Sequence, residues 1–350
     1  MPSHLHQHFS DLRLPFKRLG TFPTAIEPLE GISPAGTLWC KREDLSARPY
    51  GGNKVRKLEW LLPDAKNRGD TVLSMGATGS NHLLATCLHG GAMDLKIHAL
   101  VVPQPVTEHV RTNARLLSHH AQQIWPARWK VSVPWVGMMA WAHCRAMATG
   151  DATWIPAGGS SPLGTVGWVE AALEIGAQVE AGDMPQPSDV FVPFGSGGTA
   201  AGLWLGFAIL GWGTRVHAVR VMDWPYVHRG TLTSLGRKTR DLLQDRGVSI
   251  PQLDGAHLVV DASAIGKGYG FPTDEGLAAI DLGAARGLKL EPTYSAKALA
   301  ACLRAMEAGT VGKTVLFVDT LNSRDLTGLL AEAPEALVPE LATFFTTATR

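Results

Sequence analysis

"VFVPFGSGGTAAGLWLGFAIL", residues 190–210, decides the fold. A run of strand-forming apolar residues passes directly into Gly-Ser-Gly-Gly, and the apolar residues beyond it recur at helical rather than alternating spacing. Strand, glycine turn and helix in immediate succession are the front half of a βαβ unit, whose strands are parallel and buried on both faces. The arrangement recurs at "VLSMGATGSNHLLATCLHGGA", residues 72–92. Further candidate strands are "TLWCKRE", "KIHALVV", "QQIWPA", "ATWIPAG", "RVHAVRVM" and "KTVLFVDT", each followed closely by Gly, Ser, Asp or Pro. The pattern predicts an α/β chain of parallel strands covered by helices.

A length of 350 residues allows two such domains, or one large one. The turn-rich stretch "EAGDMPQPSD", 180–189, is a candidate passage between them. With 32 Lys and Arg against 31 Asp and Glu the charges balance, which removes the electrostatic case for nucleic acid or a polyanionic surface and points to a small ligand. The four cysteines are scattered, without a C-x-x-C pair, so neither a zinc site nor a disulfide framework is expected. The first twenty residues lack an apolar h-region, and the longest nearly apolar run, 200–213, is too short to span a bilayer. A cytoplasmic chain is expected, with no membrane or nucleic-acid partner.

Helix amino termini present unpaired N–H groups and the positive end of a dipole, and glycine lets an anion approach the backbone, so both Gly-rich strand ends are candidate anion sites. "GSGGTA", 195–200, also fits the dinucleotide fingerprint, with Asp223 as the ribose-binding acid; a nicotinamide-dependent dehydrogenase is therefore one reading. Ser80, Asn81 and His82 open the other helix, where they can bind a carboxylate or a ring oxygen, or cap the helix. A third Gly-rich entrance is "YGGNKVRKLEWLL", 50–62: Val55, Leu58 and Leu62 share one helical face and Lys54 lies beside it. A lysine there either snorkels to water or, desolvated and with Arg56 or Lys57 as positive neighbours, is depressed in pKa and free to attack an aldehyde.

Together the blocks "KREDLSARPYGGNKVRKLEWLL", "GATGSNH", "IPAGGSSPLGTVGWVEAALEI", "FGSGGTAAG", "GKGYGFPTDEGLAAI" and "EPTYSAKAL" resemble, in order and over most of the chain, the fold-type II pyridoxal-phosphate enzymes of the tryptophan synthase β superfamily. Within it they are most similar to the 1-aminocyclopropane-1-carboxylate deaminase and D-cysteine desulfhydrase group. The resemblance implies two open-sheet domains with pyridoxal 5'-phosphate in the cleft, a large one of 1–60 plus 176–350 and a small one of 61–175, in a homodimer. It implies that Lys54 carries the cofactor, that Lys57 reaches its phosphate, and that Asn81 bonds the pyridine 3-oxygen. Gly195, Ser196, Gly197, Gly198 and Thr199 become the phosphate loop, replacing the dinucleotide. Ser80, Asn81 and His82 become the grip on a substrate carboxylate, and Tyr269 and Tyr294 stand over the substrate to move a proton. The activity implied is a lyase or deaminase acting on a small amino acid, D-cysteine desulfhydrase-like, by α,β-elimination to a 2-oxo acid and ammonia. Ring-opening deamination, β-replacement and a catalytically silent homologue are the alternatives.

Several positions depart from that pattern. His82 and Ser295 stand where the deaminases carry glutamine and glutamate, which favours the desulfhydrase side; Thr320 or Ser295 then offers a hydroxyl to the pyridine nitrogen. Thr320, Leu321 and Asn322 replace Thr-Gly-Gly, and are expected to narrow the pocket edge. The segment "IWPARWKVSVPWVGMMAWAHC", 124–144, reads first as an aromatic core patch, otherwise as a substrate entrance or subunit interface. The histidines at 4, 6, 8, 119 and 120 lack ligand spacing and read as surface residues, with no metal site.

Overall fold

The computed structural model describes residues 3–32, 36–223 and 227–346. In chain order it runs α1 (His4–His8), β1 (Ile26–Pro28), β2 (Thr37–Lys41), α2 (Lys54–Arg68), β3 (Thr71–Ala77), α3 (Asn81–Gly91), β4 (Lys96–Val102) and α4 (Glu108–His120). There follow β5 (Gln123–Pro126), α5 (Val133–Met147), β6 (Thr153–Ile155), α6 (Pro162–Glu180), β7 (Asp189–Phe194), α7 (Gly198–Ile209) and β8 (Arg215–Arg220). The last part holds α8 (Arg229–Gln244), β9 (Leu258–Asp261), α9 (Asp274–Ala284), α10 (Ser295–Glu307), β10 (Thr314–Val318), α11 (Thr327–Glu332) and α12 (Pro339–Thr346).

Two sheets result. One has six strands in the order β1-β2-β10-β7-β8-β9, parallel except where β1 meets β2. The other is wholly parallel, in the order β5-β4-β3-β6. Every candidate strand of the sequence forms a strand, and the α/β architecture of two open, mostly parallel sheets is as expected. β1 and β9 were not foreseen: they are short edge strands, one ending in proline, with too few residues to show a periodicity.

α2 joins the two halves, because it is buried nearly all round. Leu58, Leu61, Leu62 and Ala65 enter the core over the four-stranded sheet, while Trp60 enters the core formed with Leu5, Val166, Val169 and Leu173. On that second side Arg56 Nη2 donates to Glu43 Oε1 at 2.6 Å and Glu174 Oε1 at 2.7 Å, and Lys41 Nζ donates to Glu174 Oε1 at 2.6 Å. Two cations and two carboxylates thus neutralise one another in a buried cluster, which fixes the rotation of α2 about its axis. Arg56 is consequently turned away from Lys54 and is no positive neighbour to it, contrary to the sequence expectation.

α6 is continuous from Pro162 to Glu180 and packs on α7, α2 and α8. The turn-rich stretch 180–189 is therefore the connection from α6 to β7 within one half. A boundary at 175 and 176 would cut α6. The closing helices α11 and α12 return to the four-stranded sheet, where Ala333 and Leu341 join its core. Among the described residues no helix is long and apolar enough to cross a membrane.

Candidate active site

A cavity of about 550 Å³ opens between the carboxyl ends of the two sheets, reached by Ala77 and Val102 from one and by Pro193, Gly195 and Thr320 from the other. That is where open parallel sheets bind ligands, since strand ends and helix amino termini converge there. Lys54, Lys57, Ser80, Asn81, His82, Ser196, Gly197, Thr199, Tyr269 and Tyr294 all line it.

One corner is built for an oxyanion. Lys57 Nζ donates to Gly158 O at 2.9 Å and to Ser160 Oγ at 2.8 Å. Ser160 Oγ also accepts from the Gly198 N–H at 3.1 Å, so its own proton goes to Ser196 Oγ, 2.7 Å away. A Cβ at Gly198 would lie 2.6 Å from Ser160 Oγ and 2.7 Å from Lys57 Nζ, so a larger residue would displace these two side-chain tips from the corner. Lys57 is buried without a carboxylate partner, and burial together with the Lys54 charge pushes its amine well below the ordinary range. A phosphate at the start of α7 would supply the missing negative charge. The donor set of one amine, two hydroxyls and the α7 amino terminus fits the phosphate of pyridoxal phosphate.

Lys54 is the first residue of α2, and its Nζ donates to Asn53 Oδ1 at 3.0 Å. Burial lowers its pKa to about 8, with Glu291 working in the opposite direction. Asn53 in turn donates through Nδ2 to Thr199 Oγ1 at 3.0 Å, tying the lysine entrance to the anion corner.

Asn81 Oδ1 accepts from Tyr50 Oη at 2.8 Å, His109 Nε2 at 2.9 Å and Asn113 Nδ2 at 2.8 Å. These three donors saturate the carbonyl and leave the amide NH₂ to donate to a ligand. Ser80 Oγ accepts from the Leu83 N–H at 3.2 Å, so this hydroxyl caps α3 while still lining the cavity. His82 is held neutral by burial and by the charges of Lys54 and Lys57. Its Nε2 lies 3.2 Å from Ser74 Oγ, which also reaches Ile155 O at 3.0 Å.

Across the cavity the hydroxyls of Tyr269 and Tyr294 are 2.7 Å apart. Burial raises both phenols, Tyr269 to about 12. Glu291 accepts the N–H groups of Thr293, Tyr294 and Ser295 at 2.8, 2.6 and 3.0 Å, which caps α10 and fixes the backbone that carries Tyr294. Ser295 Oγ accepts from the Glu291 N–H at 3.0 Å and does not reach the cavity, so of the two hydroxyls expected near the pyridine nitrogen only Thr320 lines it.

The altered edge also differs from expectation. Leu321 lines the cavity, but Asn322 turns away from it and accepts from Gly51 N–H at 2.7 Å and Arg324 N–H at 3.2 Å. The sequence reading missed Asn53, Tyr50, His109, Asn113, Ser160 and Glu291, all of which act on a named site residue rather than carry a motif. Tyr50 and Asn53 stand in the YGGNK entrance, Ser160 in the Gly-Gly-Ser-Ser run just before α6 and Glu291 in the EPTY block, whereas His109 and Asn113 had no signal.

A fold of this kind, with a desolvated lysine beside a phosphate-shaped corner, defines a pyridoxal-phosphate enzyme. The family model described as pyridoxal-phosphate dependent enzyme matches residues 17–320, and the chain belongs to that family. It is 32% identical to nocardicin C-9' epimerase of Nocardia uniformis subsp. tsuyamanensis, over 93% of this chain and 98% of the relative. It is 33% identical to D-cysteine desulfhydrase of Salmonella paratyphi A, over 86% of this chain and 89% of the relative. Among solved structures it is similar to the ACC deaminase homologue, with a TM-score of 0.77 and 26% identity, covering 98% of this chain and 100% of that one. The resemblance to the deaminase and desulfhydrase group read from the sequence is thereby borne out, as is the cofactor.

Proposed function

We propose that the protein is a lyase of the D-cysteine desulfhydrase type, which removes the α-proton and a β-substituent from a small amino acid and releases a 2-oxo acid and ammonia. The observation that carries the reading is the convergence, in one cavity, of the Lys54 amine, the anion corner and the Tyr269–Tyr294 pair. Bound pyridoxal phosphate supplies an aldehyde and an electron sink for the α-carbon. Lys54 holds the cofactor through its ε-nitrogen; Lys57, Ser160, Ser196, Gly197, Gly198 and Thr199 hold its phosphate. Gly195 leaves room for the Tyr294 ring, which a Cβ there would meet at 3.1 Å. Asn81 donates its amide to the ring oxygen, and Thr320 offers a hydroxyl to the ring nitrogen.

The substrate carboxylate rests at the amino terminus of α3, on the Ser80 hydroxyl and the adjoining N–H groups, with His82 as the neutral wall behind it. With the cofactor bound, the Lys54 amine would take the α-proton, and Tyr294 would relay or return one through Tyr269. For a cysteine substrate the leaving group is sulfide. Holoenzyme offered D- and L-cysteine should release sulfide and pyruvate from one of them. Absence of both products with either isomer overturns the elimination reading.

The likeness to the ACC deaminase homologue favours a second reading, ring-opening deamination of an aminocyclopropane acid. It predicts 2-oxobutyrate from that acid and no sulfide from cysteine. We further infer a cytoplasmic homodimer. For its domains we keep the division into a large and a small unit, with the return crossing set near 156–161 and the segment beyond 326 joined to the small one.

A further inference from the structure

Tyr269 stands on the loop 262–273, which joins β9 to α9, and that loop is weakly held by its own backbone. Its turn bonds are long: Ile265 N–H to Ala262 O at 3.5 Å, Gly268 N–H to Ile265 O at 3.3 Å and Phe271 N–H to Gly268 O at 3.4 Å. Gly266, Gly268 and Gly270 have φ of 61°, 118° and 83°, so the chain turns three times through conformations that glycine alone adopts freely. A segment so rich in glycine loses much entropy when it is ordered. Yet its tyrosine hydroxyl lies 2.7 Å from that of Tyr294, and among the described residues neither phenol has a second hydrogen-bond partner. Something outside the loop holds the pair.

Lys297 lies on α10 one turn beyond Tyr294 and is fully buried. Its Nζ donates to Ile265 O at 2.8 Å and to Gly268 O at 3.4 Å, the second being the carbonyl that immediately precedes Tyr269. Among the described residues no carboxylate comes within hydrogen-bond reach of it; Glu291 and Asp223 act on it only through their charge. Burying an ammonium is costly unless its donors are used, and this one uses them on a single loop.

We propose that Lys297 is the positioning residue of the tyrosine pair. Through it one helix fixes both partners, Tyr294 at its amino end and Tyr269 by the tether to the loop. The far side of the loop is closed as well. A Cβ at Gly268 would lie 3.0 Å from Asp223 Oδ2, and one at Gly270 would lie 2.9 Å from Pro105 Cδ, so the tip abuts the loop that follows β4. The loop therefore has little slack while the tether is made. Methionine at 297 keeps the apolar stem and removes the donors.

The test compares wild type, K297M, Y269F and K297M/Y269F as holoenzymes, by amide hydrogen exchange and by turnover. Exchange in 262–273 should rise on the order of tenfold in K297M, the worth of one charged hydrogen bond, while α10 stays protected. Unchanged exchange in the loop overturns the tether. The kinetic arm alone rests on the elimination reading: kcat of K297M should fall to that of Y269F with KM little altered, and the double variant should be no slower than either. Losses that multiply in the double variant overturn the proposal, because the lysine then acts by a route other than Tyr269. Loss of bound cofactor in K297M and K297Q alike overturns it too, since the residue then supports the fold and not the pair. A wild type inactive on both cysteine isomers defeats the elimination reading and leaves the exchange measurement to decide the tether.

Discussion

The backbone N–H of Gly51 donates to Asn322 Oδ1 at 2.7 Å, and the Asn53 N–H donates to Thr320 O at 3.2 Å. These two bonds clamp the Gly-rich entrance of α2 to the end of β10, and so set Lys54 against Thr320. Asparagine at 322 thus positions the site without entering it. Glycine there would leave a buried N–H without an acceptor, at about 1–3 kcal/mol. Asn322→Gly should therefore weaken cofactor binding by roughly tenfold and lower the thermal midpoint of the cofactor-free protein. Titration with pyridoxal phosphate, followed by tryptophan fluorescence, reads the first effect; unchanged affinity would sink the clamp.

Lys57 faces the anion corner with no carboxylate to balance it. Its charge should matter only for a ligand that brings phosphate. Lys57→Gln is expected to weaken pyridoxal phosphate by about 10- to 100-fold, the worth of one charge-assisted hydrogen bond, while leaving pyridoxal almost unaffected. Equal losses for both compounds would mean that the residue supports the wall and not the phosphate.

Lys54 titrates near 8 in the folded chain, against an ordinary value of 10.5. Below 8 it is charged in both folded and unfolded states, and the folded state carries the desolvation cost. Between 8 and 10.5 only the unfolded state keeps the proton, so this group's contribution to stability improves with rising pH. The same titration frees the nucleophile. Uptake of pyridoxal phosphate by cofactor-free protein should accelerate as pH rises toward 8 and then level off, as stopped-flow absorbance can follow. Uptake independent of pH between about 6 and about 9, limits that bracket the titration near 8, would contradict a titrating nucleophile.

The strands and the three Gly-rich entrances were legible because each is local: an apolar run, a glycine turn and a helical period lie within some twenty residues. The anion corner was half legible. Gly198 and Lys57 stand in motifs, but Ser160 joins them from 103 positions beyond Lys57, a pairing that only the fold creates. His109 and Asn113, which orient Asn81, were invisible for the same reason, while Tyr50 and Glu291 stood in quoted blocks with nothing to show that they orient other groups. The segment 124–144 was legible in part: Trp125 and Trp141 pack with Leu73 and Leu100 as a core patch should, whereas Trp129 and Trp135 lie exposed, and composition alone does not separate the two sides.

Arg56 and Glu174 lie fully buried on the far side of α2 from Lys54. Removing one charge strands the others in a medium that cannot solvate them, at about 3–5 kcal/mol. Glu174→Gln should lower the urea midpoint markedly, most above the range in which the carboxylate ionises, which Arg56 and Lys41 hold near 2. A folded-state carboxylate depressed in this way contributes stability that is present at neutral pH and lost as pH falls toward that value. The wild-type advantage over the variant should accordingly shrink on acidification, and a constant difference between neutral and acidic pH would argue against the ion cluster.

Tyr294 and Tyr269 share one hydrogen bond, and burial holds both phenols neutral through the physiological range. A neutral phenol can return a proton but is a poor base, so the acid step should depend on Tyr294 and the initial proton removal on Lys54. Tyr294→Phe is expected to lower kcat by about 10²-fold with little change in KM, because the carboxylate is held at the opposite wall. Tyr269→Phe should cost less, since the Tyr294 hydroxyl remains. Exchange of the substrate α-proton with deuterated water separates the steps. Exchange retained in Tyr294→Phe while product formation falls assigns the residue to the later proton; exchange and product lost together would make the tyrosine part of the initial proton removal, and the division of labour between Lys54 and Tyr294 would be wrong.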